Sequence, residues 1–161
     1  MGQNHFQKAV FAAGCFWGVE ETFRKLKGVK STAVGYTGGL LDKPTYEIVC
    51  DGNTGHAEAV QIEFDPAVIS YEELLNIFWN AHNPTQLNRQ GPDFGEQYRS
   101  SIFYYTPEQK ETAIKSKQAL EKSGKWKDPV VTQIAPASEF WNAEEYHQQY
   151  LKKRGLGNCH L

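Results

Sequence analysis

Residues Gly14-Cys15-Phe16-Trp17-Gly18 close one apolar run and open a helical pattern, and this junction constrains the fold of the chain more tightly than any other stretch. Ahead of it, Gln7–Ala13 reads as a buried strand. Behind it, Phe16, Val19, Phe23 and Leu26 recur at i, i+3, i+7 and i+10, one face of a helix from about Cys15 to Lys27. Gly28 supplies a stop for that helix. Cys15 is thus expected in the first turn after a strand. A thiol there feels the positive end of the helix dipole and unpaired backbone N–H groups, both of which favour the thiolate. Phe16 and Trp17 give this thiol an apolar wall, as suits a substrate with an apolar group next to an electrophilic atom.

The same kind of reading divides the rest of the chain. Lys30–Gly35 alternates weakly, Thr45–Cys50 is ambiguous, and Ala57–Phe64 alternates well before Asp65-Pro66 ends it. Ser70 with Glu73 forms a capping box for a second helix whose apolar face is Tyr71, Leu74, Leu75 and Phe78. Asn83–Tyr98 is the longest loop-like stretch, and long loops in compact domains are usually functional or disordered. Ser101–Tyr105 reads as a strand. Thr106-Pro107-Glu108-Gln109 starts a third helix, with Gln109 closing a capping box. Pro129–Ala135 is a further strand, and Asn142 is expected to cap a last helix running to about Lys153. Strands and helices mix without strict alternation, which favours an α+β fold over a doubly wound one. The 161 residues predict a single catalytic domain over 1–161, with 155–161 a flexible tail that carries Cys159.

Net charge of −2 argues against nucleic acid and anionic membrane surfaces as partners. Lys110, Lys115, Lys117, Lys122, Lys125 and Lys127 read as a solvated helix face. No stretch approaches the roughly 18 apolar residues of a membrane span. Ala12-Ala13-Gly14-Cys15 has the look of a lipoprotein cleavage site, but the residues before it lack a basic region and a long enough apolar run. The chain is therefore expected to be cytoplasmic. Its three cysteines, without a C-x-x-C pair, point to reactive thiols rather than to a disulfide framework or a metal site.

Four places carry candidate chemistry, each beside a plainer reading. Cys15 is either a nucleophile or a small core residue. Glu58 lies early in the Ala57–Phe64 strand, in phase with Val60 and Ile62. It is either a solvent-facing carboxylate or, if buried, an acid whose raised pKa lets it donate a proton at neutral pH. His56 is a base for Cys15 or, more simply, part of the Gly52–Gly55 turn. Asp93 and Tyr98, in the long loop, are polar anchors or a turn residue and a packing residue. Cys159, near the chain end, is inert or a resolving partner for a sulfenic acid.

Taken together, Gly14-Cys15-Phe16-Trp17-Gly18, Thr45-Tyr46-Glu47, Gly55-His56-Ala57-Glu58 and Asp93 with Gln97-Tyr98-Arg99-Ser100 resemble the type A peptide-methionine sulfoxide reductases, from Val10 to about Tyr150. The resemblance implies a two-layer sandwich of a mixed sheet with packed helices and a long irregular C-terminal segment. It implies reduction of the S epimer of methionine sulfoxide, free or in oxidised proteins, as a repair of oxidative damage. Carried over, Cys15 is the nucleophile, Glu58 the acid, and the Tyr46 and Tyr98 hydroxyls hold the sulfoxide oxygen. Phe16 and Trp17 hold the S-methyl group, and Asp93 helps to position the substrate. No bound cofactor is implied; an external thiol, usually thioredoxin or dithiothreitol in vitro, restores the enzyme. Cys159 is the expected resolving thiol, with Cys50 the alternative and otherwise structural, and His147 is given a structural role. A monomer is expected. The competing classes are a thiol peroxidase, a cysteine hydrolase using His56, His82 or His147, and a non-enzymatic module that binds oxidised Met or senses redox state.

Overall fold

The apolar run that ends at Ala13 is buried on both faces: Ala9, Phe11 and Ala13 enter one core, and Val10 and Ala12 enter a second, smaller one. A strand covered on both sides reads as a continuous apolar run, as this one does. The structure, a computed structural model, describes residues 6–51 and 54–153. Its elements in chain order are β1 (Gln7–Ala13), α1 (Phe16–Arg24), β2 (Val29–Thr37), α2 (Tyr46–Cys50), β3 (Ala57–Phe64), α3 (Tyr71–Asn80), β4 (Arg89–Gln90) and β5 (Asp93–Phe94). There follow β6 (Ser100–Tyr104), α4 (Pro107–Ser123), β7 (Gln133–Pro136), β8 (Trp141–Asn142) and α5 (Tyr150–Lys153).

Six strands form one mixed sheet in the order β7-β6-β1-β3-β2-β8, while β4 and β5 pair apart as a small hairpin. Only β6 and β7 run parallel; the other pairings are antiparallel. This is the expected α+β architecture. Helices α1 and α3 lie on the larger core. Phe11 at its centre stacks on Phe23 of α1 at 5.4 Å and on Phe78 of α3 at 5.1 Å. Aromatic pairs of this kind contribute about 0.5–1.5 kcal/mol each beyond the area they bury. They fix α1 against the sheet and so fix where its N-terminus, with Cys15, emerges.

The capping box at Ser70–Glu73 forms as expected. At Thr106 only half of the expected box forms. Thr106 accepts from Gln109 N–H, but the Gln109 side chain accepts from Tyr105 N–H and donates to the Lys8 carbonyl, tying α4 to β1 instead. Helix α1 ends at Arg24, short of the expected Lys27. The largest departure is at the C-terminal end. A continuous helix from Asn142 to Lys153 does not form: β8, a 3-10 turn at Glu145–His147 and the short α5 replace it. Side-chain bonds outcompete the helix there. Gln148 brackets Val34 of β2, accepting from its N–H at 2.9 Å and donating to its carbonyl at 2.9 Å. Gln149 sits at φ +52, its N–H held by buried Glu20 at 2.7 Å. Among the described residues no helix is long and apolar enough to cross a membrane.

Candidate active site

The strand-to-helix junction depends on Gly14. Its φ is +99, which side-chain-bearing residues rarely adopt, and a Cβ there would lie 2.8 Å from Gln90 Cγ. Cys15 follows as the N-cap of α1, partly exposed, with no hydrogen bond from its side chain to the helix end. The first N–H of the helix, that of Phe16, donates instead to Glu58 Oε1 at 3.3 Å. One of the orphan donors of a helix start is thereby satisfied by a carboxyl from the neighbouring strand β3.

Glu58 is 1% exposed, so the solvent-facing reading of this residue is overturned. It projects onto the larger-core side of β3, beside Val60 and Ile62, while Ala57 and Ala59 face the smaller core. Its other oxygen, Oε2, accepts from Gln97 Nε2 at 3.4 Å. Two phenols approach the same carboxyl. Tyr46 stands at the first position of α2, where Thr45 caps the helix and Glu144 Oε2 accepts the Tyr46 N–H at 3.1 Å. Tyr98 ends the 3-10 turn Glu96–Tyr98. Burial, then the charge of Glu58, then that of Cys50, holds the pKa of each phenol well above its ordinary value. Both therefore stay protonated and serve as hydrogen-bond donors. Asp93 and Cys15 add smaller pushes on Tyr98, which places all of these groups around one centre.

Phe16 is 1% exposed and packs against Tyr36, Tyr46 and His147, with ring centroids 5.8, 6.4 and 5.3 Å away. Trp17 is less buried. Its ring stacks on Tyr150 at 3.8 Å, and its Nε1 donates to His147 Nδ1 at 2.9 Å. His147 is 1% exposed, and burial lowers its pKa against the opposing pull of Glu144. It is thus the neutral ring that the Trp17 bond requires. Glu144 and Tyr150 carry no candidate role in the sequence pattern; with His147 they lie on the C-terminal segment expected to form one helix.

Cys50 is not a buried structural residue. It is exposed at the end of α2, where its Sγ accepts from Gln97 Nε2 at 3.4 Å. Cys159 lies outside the described residues. His56 is buried, and its ring nitrogens meet the Gly39 N–H and the Leu41 carbonyl, so the ring is spent on the neighbouring loop. His82 likewise spends both nitrogens, on the Phe78 carbonyl and the Ser100 hydroxyl. Neither is available as a base for Cys15.

A thiol close to a protonated phenol, with His56 and His82 engaged elsewhere and His147 bonded to Trp17, is suited to taking up an oxygen rather than an acyl group. That defines a cysteine-dependent oxidoreductase. The family follows from direct comparison. The model of the family described as peptide methionine sulfoxide reductase matches residues 7–161, and the chain belongs to that family. It is 59% identical over 158 residues to peptide methionine sulfoxide reductase MsrA of Methanothermobacter thermautotrophicus, covering 98% of this chain and 94% of the relative. Among solved structures, reduced Mxr1 from Saccharomyces cerevisiae matches with a TM-score of 0.89 at 36% identity, over 96% of this chain and 88% of that one. Mxr1 in complex with Trx2 matches with a TM-score of 0.64 at 27% identity, over 90% of this chain and 84% of that one.

Proposed function

We propose that this chain reduces the S epimer of methionine sulfoxide, free or within oxidised proteins and peptides, through Cys15. The observation that carries the assignment of roles is the meeting of Cys15, buried Glu58 and two protonated phenols at the N-terminus of α1. A sulfoxide sulfur is a poor electrophile until its oxygen is protonated or strongly hydrogen-bonded. Tyr46 and Tyr98 hold that oxygen, and Glu58 delivers the proton. Burial favours the neutral form of a carboxyl, the form that can donate. Once Glu58 has given its proton, its carboxylate draws the proton of the Cys15 thiol, and the thiolate attacks the sulfoxide sulfur.

The balance of the reaction is a two-electron exchange. Attack forms a bond between the Cys15 and substrate sulfurs; the protonated oxygen leaves the substrate sulfur for the Cys15 sulfur, the sulfur–sulfur bond breaks with its electron pair going to methionine, and Cys15 becomes a sulfenic acid. A second thiol, Cys159, condenses with it to give a disulfide and water. An external dithiol then reduces the disulfide by exchange. The Mxr1–Trx2 complex supports thioredoxin as that reductant, with dithiothreitol its substitute in vitro. Trp17 and Phe16 enclose the S-methyl group, and Asp93 steadies the substrate near Tyr98. The protein is taken to act as a cytoplasmic monomer, one catalytic domain over 1–161 whose tail, 155–161, carries Cys159.

Turnover of separate S and R epimers of a methionine sulfoxide peptide with dithiothreitol tests this reading. Consumption of the S epimer alone, abolished in Cys15→Ser, is expected. No consumption of either epimer by the folded, reduced protein overturns it.

A further inference from the structure

The proposed reaction gives tasks to Cys15, Glu58, Tyr46 and Tyr98 but none to the amide wedged beside them. Gln97 is 5% exposed, and its Nε2 donates at 3.4 Å both to Glu58 Oε2 and to Cys50 Sγ. An amide nitrogen carries two hydrogens and no acceptor lone pair, so one group serves both contacts. The opposite oxygen of Glu58 is held by Phe16 N–H at 3.3 Å. The carboxyl is thus gripped from two directions, by the start of α1 and by the 3-10 turn Glu96–Tyr98.

We propose that Gln97 is the positioning residue of the Glu58 acid: anchored on Cys50, its N–H fixes the carboxyl plane so that the acid proton faces the sulfoxide oxygen. The inference rests on the proposed sulfoxide reduction. An N–H at Oε2 offers the acid proton nothing to bind, so the proton is not drawn away from the substrate. Cys50 is thus the anchor of the positioning amide, and it lies close enough to Tyr46 to help hold that phenol in its protonated form. That gives the exposed thiol of α2 a role at the site without any redox step.

A weak N–H bond also favours the carboxylate over the acid, so its removal raises the pH at which the acid is lost. The titratable groups around Glu58 are Cys15 before α1, Tyr36 of β2, Tyr46 and Cys50 of α2, and Tyr98 of the 3-10 turn. In the proposed reaction, loss of the Glu58 proton gives the rate profile a falling, alkaline limb, and Gln97 touches that carboxyl directly.

The test measures kcat and KM for the S epimer with dithiothreitol, from acid to alkaline pH, for wild type, Gln97→Met and Gln97→Glu. Gln97→Met keeps the length and removes the donor; Gln97→Glu keeps the shape and adds a second carboxyl. Expected is a fall in kcat of about ten- to a hundredfold, the scale of a catalytic group displaced by an ångström, with KM little changed. The alkaline limb should move upward in both variants, further in Gln97→Glu, where a like charge opposes ionisation. If Gln97→Met does not fold, the isosteric Gln97→Glu carries the test. Wild-type kcat, or an unshifted limb whatever the rate, overturns this inference while leaving sulfoxide reduction in place. A wild type that turns over neither epimer overturns the proposed function itself.

Discussion

Phe16 and Glu58 are 42 positions apart in sequence, yet the Phe16 N–H lies 3.3 Å from Glu58 Oε1, so the first donor of α1 ends on a buried carboxyl of β3. The contact joins the helix that Cys15 caps to the strand that carries Glu58. It also opposes burial, because an N–H at a helix N-terminus favours the carboxylate. Burial acts on nearly the whole side chain, which is 1% exposed, whereas the N–H contacts are long compared with charge-assisted bonds of roughly 2.7–2.9 Å. Glu58→Gln keeps the shape and one acceptor oxygen but has no acid proton to give, and its NH2 must face one of the two N–H donors, Phe16 or Gln97. Its kcat on the S epimer should fall by about two to four orders of magnitude, with circular dichroism unchanged. Wild-type kcat in that variant would remove Glu58 from the chemistry.

Tyr46 and Tyr98 act as preorganised donors, and their raised pKa values keep both hydroxyl protons in place at neutral pH. Tyr46→Phe and Tyr98→Phe should each lower kcat/KM by about ten- to a hundredfold, and the double variant by more. Steady-state assays on one peptide sulfoxide measure this. Equal activity of the double variant and wild type would exclude the phenols as oxygen ligands.

Trp17 owes its orientation to the C-terminal segment, through the 2.9 Å bond to His147 and the 3.8 Å stack on Tyr150. His147→Phe leaves the indole N–H without its acceptor, a loss of about 1 kcal/mol. If that loss falls on substrate binding, KM rises about fivefold. The expected signature is a raised KM at nearly constant kcat, because Cys15 and Glu58 are untouched and Phe keeps a ring against Tyr46. A lowered kcat at constant KM would contradict the assignment of Trp17 to binding.

His82 links stability to pH. It is buried, and desolvation brings its pKa from 6.5 down to about 4. A depressed folded-state pKa means that the folded protein binds this proton later than the unfolded chain does. The stability it contributes is present above pH 6.5 and is lost as pH falls toward 4. The urea midpoint should therefore begin to drop below pH 6.5, before the carboxylates titrate, and His82→Leu, though less stable, should lose the His82 share of that early slope and keep the part due to His147. A slope unchanged in the variant would assign it to other groups.

What the sequence revealed follows its local signals. The β1–α1 junction, β3, the Ser70 cap and the phase of Glu58 were all legible, because each depends on neighbours a few positions away. The burial of Glu58 was not legible, since it depends on α1 closing over the strand. The C-terminal segment was misread for a related reason. Glu144-Glu145-Tyr146-His147-Gln148-Gln149-Tyr150 has a helical look, but Glu144 reaches Tyr36 and Tyr46, His147 reaches Trp17, and Gln148 reaches Val34. Those partners lie about a hundred residues earlier in the chain, and long-range bonds of this kind override local propensity. Gln97 was in view inside a recognised motif, yet nothing local shows that its amide lies between Glu58 and Cys50.

The central claim is that Cys15 takes the oxygen of the sulfoxide. The direct measurement mixes reduced protein with one equivalent of S-epimer peptide, without reductant and with the resolving thiol removed as Cys159→Ser. Dimedone then traps sulfenic acid for mass mapping. One methionine peptide formed per chain, with the dimedone adduct on Cys15 and none in Glu58→Gln on the same timescale, is the predicted result. Methionine formed with no adduct on Cys15, or the adduct on Cys50 instead, would contradict the assignment of the nucleophile.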